Sequence, residues 1–168
     1  MDVMTTIRAA NPEDASLILD FVRELAVFER EPDAVKIGAA ELLRDGFPAP
    51  GGDRYFECII AEEDGEAAGF ALFFPVYSTW KGRATHLEDL IVRPRFRGRG
   101  IGKALLTRVA AITVERGCSL LFWHVLDWNT SAIEFYKSLG ATPLEDWTRM
   151  RLADDALAAV AAQSGAAA

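Results

Sequence analysis

The stretch Arg97-Gly98-Arg99-Gly100-Ile101-Gly102 decides the reading of this chain. The apolar run before it ends at Val92 and reads as a strand, and the pattern that starts near Lys103 reads as a helix. The first amides of a helix have no intrahelical partner, and the helix dipole directs positive charge into the preceding loop. Glycines let the backbone approach an oxygen-rich ligand closely, and Arg97, Arg99 and Lys103 add charge. Strand, glycine loop and helix together predict an anion cradle of the size of a pyrophosphate. A glycine-rich turn that serves packing alone is the competing reading of the same residues.

Two familiar phosphate loops do not fit. The nucleotide-triphosphatase loop needs Gly-Lys-Ser/Thr, whereas Gly102-Lys103 is followed by Ala104, which has no hydroxyl for magnesium. The dinucleotide fingerprint puts its first glycine directly after a strand, with an acid about 20 residues on. Glu115 lies near that offset, but Arg93 to Gly98 intervene after the strand and Arg97 stands in place of the first glycine. The pattern Arg-x-x-Gly-x-Gly instead resembles the coenzyme A pyrophosphate loop of the GNAT acetyltransferases.

The 168 residues fit one domain spanning 1–168, with 152–168 a fraying tail. A chain of this length buries roughly two thirds of its unfolded surface. Lysine and arginine total 18 against 25 acids, a net charge of −7. Such a surface repels nucleic acid and anionic membranes and favours cationic ligands, so the basic cluster Arg93 to Lys103 is a local exception. Cys58 and Cys118 each lie in an apolar run and read as buried free thiols of a reducing compartment. His86 and His124 are the only histidines, neither in a Cys/His cluster, so no metal site is expected. No run reaches the roughly 18 apolar residues of a membrane span, and Met1-Asp2-Val3-Met4-Thr5 lacks the plan of a signal peptide. These features predict a soluble cytoplasmic protein.

Periodicity predicts a strand over Ile7–Ala9 and a helix started by Asn11-Pro12-Glu13-Asp14, with Leu17, Ile18, Phe21, Val22 and Leu25 on its buried face. A short helix spans Ala39–Arg44. Strands over Tyr55–Ala61 and Gly69–Tyr77 flank the acidic turn Glu62-Glu63-Asp64-Gly65. Thr85–Val92 is a strand in which alternation sends Glu88 and Asp89 to opposite faces. A helix over Lys103–Glu115 turns Leu105, Leu106, Val109 and Ile112 inward. Ser119–Leu126 reads as a central strand buried on both faces. Asn129-Thr130-Ser131 opens a helix over Ala132–Leu139, Trp147–Leu152 reads as a last strand, and the alanine-rich tail reads as a helix.

With the elements in this order, the chain resembles a GNAT acetyltransferase throughout, and Ile7 to Leu152 resembles the spermidine/spermine (diamine) N-acetyltransferase family. The resemblance is carried by Arg23-Glu24-Leu25-Ala26-Val27-Phe28-Glu29, His86-Leu87-Glu88-Asp89-Leu90-Ile91-Val92, the glycine loop, and Asn129 to Gly140 with Phe135-Tyr136-Lys137. Tyr77-Ser78-Thr79-Trp80-Lys81-Gly82-Arg83 and Val125-Leu126-Asp127-Trp128-Asn129 are closer to the thialysine N-ε-acetyltransferase branch. The polyamine branch usually has Asp-Pro where Ser78-Thr79 stand. His86 occupies a place where the family often has tyrosine, and Glu145-Asp146-Trp147 replaces a common Glu-Gly-Trp.

The resemblance implies an α/β fold with a central mixed, twisted sheet of about six or seven strands flanked by helices and splayed after Val92 to admit acetyl-coenzyme A. It implies that the amides of Leu90, Ile91 and Val92 meet the thioester and pantetheine arm and that Arg97, Gly98, Arg99, Gly100, Ile101, Gly102 and Lys103 surround the pyrophosphate. Asn129, Thr130, Ser131 and Ala132 border the coenzyme. Phe28, Glu29, Ser78, Thr79, Trp80, Glu88 and Asp89 line the acceptor side, some of them across a homodimer interface. Tyr136 protonates the departing thiolate, and Glu88 relays the amine's proton through water.

An alkylamine with a pKa near 10 is almost fully protonated at neutral pH and must lose a proton before it attacks. A carboxylate on an apolar strand can take that proton, since desolvation raises its pKa. Spacing alone leaves Glu88 open between this role and a structural ion pair, and leaves Tyr136 open between acid and packed core ring. The resemblance favours function for both. Trp80 is a candidate to flank an ammonium by cation-π contact. The expected reaction is direct acetyl transfer from acetyl-coenzyme A to a small primary amine, a lysine-like amino acid such as thialysine ahead of a polyamine or diamine. A coenzyme-binding regulatory module without turnover is the alternative of another class.

Overall fold

The computed structural model describes residues 4–166, which fall into two compact units, one running to Leu126 and the other starting at Asp127. The first unit holds β1 (Thr5–Ala9), α1 (Ala15–Phe28), α2 (Ala39–Gly46), β2 (Glu57–Glu63), β3 (Glu66–Ser78), β4 (Gly82–Val92), α3 (Ile101–Glu115) and β5 (Leu121–Phe122). The second holds α4 (Thr130–Ser138) and α5 (Asp154–Ala161).

One mixed sheet runs in the order β1-β2-β3-β4-β5. The first four strands form an antiparallel meander, and α3 carries the chain to β5, which pairs parallel with β4. β2 and β3 meet through Asp64-Gly65, both at positive φ (50° and 80°), the combination required by a tight two-residue hairpin turn.

α1 starts where the Asn-Pro-Glu-Asp run predicts. The Asn11 side chain accepts from the Glu13 amide at 2.9 Å, the Asp14 carboxylate accepts from the Asn11 amide at 2.8 Å, and a 3-10 turn leads into the helix. Arg8 of β1 grips the buried Asp14 with two hydrogen bonds of 2.7 and 2.8 Å, tying helix start to sheet edge. Those bonds hold the Asp14 carboxyl below its ordinary range. α1 then lays Ile18, Leu19 and Phe21 on Cys58, Ile60, Phe70, Leu72 and Ile91 of the sheet. The rings of Phe21 and Phe70 stack with centroids 5.0 Å apart. α3 buries Leu105, Leu106, Val109 and Ile112. Gly69 of β3 faces Leu105, and a Cβ there would lie 2.6 Å from the Ile91 carbonyl and 3.3 Å from Leu105, so only glycine lets β3 and α3 close around the end of β4.

Several expectations need correction. Among the described residues the sheet has five strands, not six or seven. The apolar run Ser119–Leu126 supplies only Leu121–Phe122, a half-buried edge strand, not a central strand covered on both faces. Trp147–Leu152 is not a strand, and Trp147, Met150 and Leu152 are exposed. Apolar composition alone does not make a strand without a neighbour to receive its hydrogen bonds. Cys58 is buried, but Cys118 is only half-buried; both are free.

Candidate active site

The glycine loop leaves β4 at Val92 and enters α3 at Ile101. Gly98 and Gly100 take φ of 75° and 82°, a region that favours glycine, and nothing lies within 4 Å of a Cβ built at either. The backbone there therefore faces open space. Gly100 caps α3 without a side chain, and the first helical bond runs from the Ala104 amide to the Gly100 carbonyl at 2.9 Å. The amides of Ile101, Gly102 and Lys103 thus precede the helical ladder and point out of the helix start. This backbone fits a pyrophosphate.

The arginines of the loop serve differently from the even charge reading of the sequence. Arg99 pairs with Glu63, a carboxylate that is 4% exposed at the end of β2, and Arg95 pairs with Glu66 of β3. These bridges fasten the loop to the β2–β3 hairpin, so much of the charge of Arg99 is already balanced. Arg97 donates from Nε to the Val92 carbonyl at 2.9 Å, and its guanidinium carbon lies 5.4 Å from the Phe28 ring centroid. Lys103 is exposed on the first turn of α3.

Arg93, at the exit of β4, donates to Glu24 of α1 at 2.8 and 3.0 Å and to the Ala67 carbonyl at 2.9 Å, with its guanidinium carbon 4.4 Å from the Phe21 ring centroid. It pins the end of β4 to α1. The basic cluster in the sequence contained this residue without distinguishing it. Phe28 and Glu29 end α1 on this side, and a groove lined by Val27, Phe28, Ile91, Pro94 and Arg97 lies between helix and loop.

The β3–β4 register corrects the expectation for the paired acids. Phe70 faces Ile91, Ala71 faces Leu90 and Leu72 faces Asp89, but Phe73 faces Leu87, so Glu88 is the extra residue of a β-bulge. Leu72 and Ile91 belong to the core under α1, which places Asp89 on the α1 side. His86 faces Phe74, also packed on that core, and its Nε2 lies 3.0 Å from Glu88 Oε2, so Glu88 reaches the same side. The bulge cancels one step of alternation, and the two carboxyl groups share a face instead of parting.

Glu29 joins them. Burial pushes the Asp89 carboxyl up to about 7, with the charges of Glu88 and Glu29 adding to the rise. Burial, then the charge of Glu88, raises Glu29 as well. Three acids from α1 and β4 thus form a negative, partly desolvated cluster that suits an ammonium and can hold a proton near neutral pH.

On the side of β4 away from β3, pairing with β5 covers Thr85 and His86 and ends there. Leu90, Ile91 and Val92 follow beyond the paired segment. The predicted residues Ser78, Thr79 and Trp80 lie at the β3–β4 hairpin tip, where Ser78 Oγ accepts from the Trp80 and Lys81 amides at 3.3 and 3.1 Å. From Gly82 at that tip to Glu88 the strand rises about 20 Å, so a single chain does not bring these residues to the acidic cluster.

In the second unit, Asn129 caps α4 by accepting from the Ala132 amide at 3.3 Å, and Thr130, Ser131 and Ala132 form its first turn. Tyr136 lies one turn further on, its ring centroid 5.3 Å from that of Phe135, and burial raises its phenol.

Among the described residues no group of three or more His, Cys, Asp or Glu could hold a metal ion, and no helix is long and apolar enough to cross a membrane.

The acetyltransferase (GNAT) family model matches residues 20–141. A thialysine N-epsilon-acetyltransferase from Sus scrofa is 40% identical over 162 residues, covering 90% of this chain and 94% of the relative. A spermidine/spermine N(1)-acetyltransferase-like protein 1 from Homo sapiens is 36% identical over 86% of this chain and 22% of its own length. The fold is also that of an integron cassette protein from V. cholerae, with a TM-score of 0.75 at 24% identity over 94% of this chain and 97% of that one.

Proposed function

This chain belongs to the GNAT family and is an acetyl-coenzyme A-dependent N-acetyltransferase, and we propose that its acceptor is a small lysine-like primary amine such as thialysine. The observation that carries the acceptor reading is the acidic cluster of Glu29, Glu88 and Asp89, set beside the β4 exit that leads to the glycine loop. Acidic side chains there attract an ammonium, and a carboxyl that titrates near 7 can keep the proton the amine must lose.

Acetyl-coenzyme A, when bound, supplies the thioester carbonyl and the thiolate leaving group. In this reading Gly98 to Lys103 hold its pyrophosphate through backbone amides and Lys103, with Arg97 alongside. Leu90, Ile91 and Val92 offer main-chain groups to the pantetheine arm, and Asn129 to Ala132 border the coenzyme. Glu88 passes the amine's proton on through water, Asp89 holds charge or proton beside it, and Phe28 and Glu29 orient the acceptor. The Tyr136 phenol, kept protonated by burial, is the acid for the thiolate.

Ser78, Thr79 and Trp80 serve the acceptor from a second copy of the chain, a homodimer that accounts for their distance along β4 from Glu88. We place the enzyme in the cytoplasm, where the free thiols of Cys58 and Cys118 persist, and treat residues 1–168 as one catalytic domain. A polyamine is the second reading, favoured by the number of acids in the cluster. Release of free coenzyme A with a panel of thialysine, lysine, spermidine and spermine tests both. Turnover with none of these amines would leave the coenzyme-binding module as the reading.

A further inference from the structure

His86 is 6% exposed, yet its imidazole Nε2 lies 3.0 Å from Oε2 of Glu88, whose side chain is 44% exposed. The ring sits among Phe74 of β3, Phe122 of β5 and His124, with centroids 5.0, 4.8 and 5.3 Å away. Aromatic neighbours on three sides restrict the imidazole to few orientations, and the bulge brings Glu88 around to meet it. An ionised carboxylate can only accept, so with Glu88 charged the Nε2 carries the hydrogen.

We propose that His86 is a positioning residue for the acceptor amine: its Nε2–H holds the Glu88 carboxylate turned toward the amine. The inference rests on the reading of Glu88 as part of the amine's proton path. Three acids so close together disfavour ionising all at once, and one proton among them relieves the repulsion. A hydrogen bond donated to one acid stabilises its charged form, so the proton settles on another. The titratable groups around the pair are Glu29 from the end of α1, Asp89 from β4 and His124 beyond β5. Glu88 raises both Glu29 and Asp89 by its charge, and the imidazole is the donor that meets its carboxylate.

The test uses the full chain and the pH profile of kcat/KM for the amine, with coenzyme affinity measured by calorimetry as the folding check. His86→Phe removes the donor from which the Glu88 carboxylate accepts. The acidic limb should move up by about one unit, and the loss in kcat/KM should grow as the pH falls. His86→Gln puts an amide N–H near the place of Nε2 and should return the limb toward wild type, whereas His86→Asn, too short to reach, should behave like His86→Phe. The Asn and Gln pair keeps the comparison open if the phenylalanine variant does not fold. Combining His86→Phe with Glu88→Gln should cost no more than Glu88→Gln alone. A wild-type limb in His86→Phe or His86→Asn beside an impaired Glu88→Gln overturns the inference and spares the proton path. Equal losses in the Gln and Asn variants with an unmoved limb also overturn it, since packing alone then explains the residue. Wild-type rates in Glu88→Gln overturn the role of Glu88 itself.

Discussion

Asp89 sits directly opposite Leu72 in the β3–β4 pairing, one residue out of step with the alternation that precedes it. That offset puts a carboxyl under α1 beside Glu29 and Glu88 and raises its titration to about 7.

Ionised Asp89 therefore costs the fold stability. An unfolded aspartate titrates near 3.8, the folded one near 7. Below the unfolded value both states hold the proton and nothing is lost. Between the two values the unfolded chain ionises first and native stability declines, and above 7 the full cost applies. Asp89→Asn carries no such cost, so it should match wild type near pH 4 and exceed it at pH 8 by on the order of 4 kcal/mol, read by urea denaturation at both pH values. Equal stability at pH 8 would show that Asp89 is better solvated than its surroundings suggest.

Gly100→Val should weaken coenzyme binding at least 10-fold. The position has φ 82° with open space around a Cβ, so the penalty is backbone strain of about 1–3 kcal/mol and a shifted helix start, not a clash within the fold. Calorimetric titration with coenzyme A checks it, and unchanged affinity in a folded variant would make the loop purely structural.

Arg99→Met should cost about 1–2 kcal/mol of stability, less than for a fully enclosed pair because Arg99 is half-exposed. It strands the carboxylate of Glu63, which is 4% exposed. Adding Glu63→Gln should recover most of the loss. A double variant as unstable as the single one would mean that the bridge is not the source.

Tyr136→Phe should lower kcat about 10- to 1,000-fold with little change in coenzyme affinity, since the phenol is retained for its proton alone. Glu88→Gln should fail most at low pH and recover in part as the amine loses its own proton. Pre-steady-state and pH-dependent rates separate the two; unchanged kcat in Tyr136→Phe would remove the tyrosine from the chemistry.

Ser78→Asp should shift the ratio of kcat/KM from thialysine toward spermidine. An acid there repels an amino-acid carboxylate and offers an anchor to a remote ammonium. A ratio that already favours spermidine in the wild type would assign the chain to polyamines while leaving acetyl transfer intact.

Local chemistry made much of this legible in the chain itself. The Asn11 cap, the Asp64-Gly65 turn, the inward face of α3 and the glycine start of that helix depend on neighbours within a few residues, and each stands where the residues predict it. What depended on partners distant in sequence was not legible. The run Ser119–Leu126 is apolar enough for a central strand, but only Leu121 and Phe122 find partners on β4. Strict alternation separates Glu88 from Asp89, and the bulge that unites them lies in the pairing with Leu72 and Phe73 of another strand. Arg99 and Glu63 lie 36 positions apart, and their bridge exists only because α3 folds back beside the β2–β3 hairpin. The sequence by itself determined the family, through the motifs that carry the resemblance, and the glycine start of α3, because both are read from residues close together in the chain. Tertiary structure alone decided which acid is desolvated, which arginine is already paired and which imidazole meets Glu88, because burial and charge balance are properties of neighbours that the folded chain brings together.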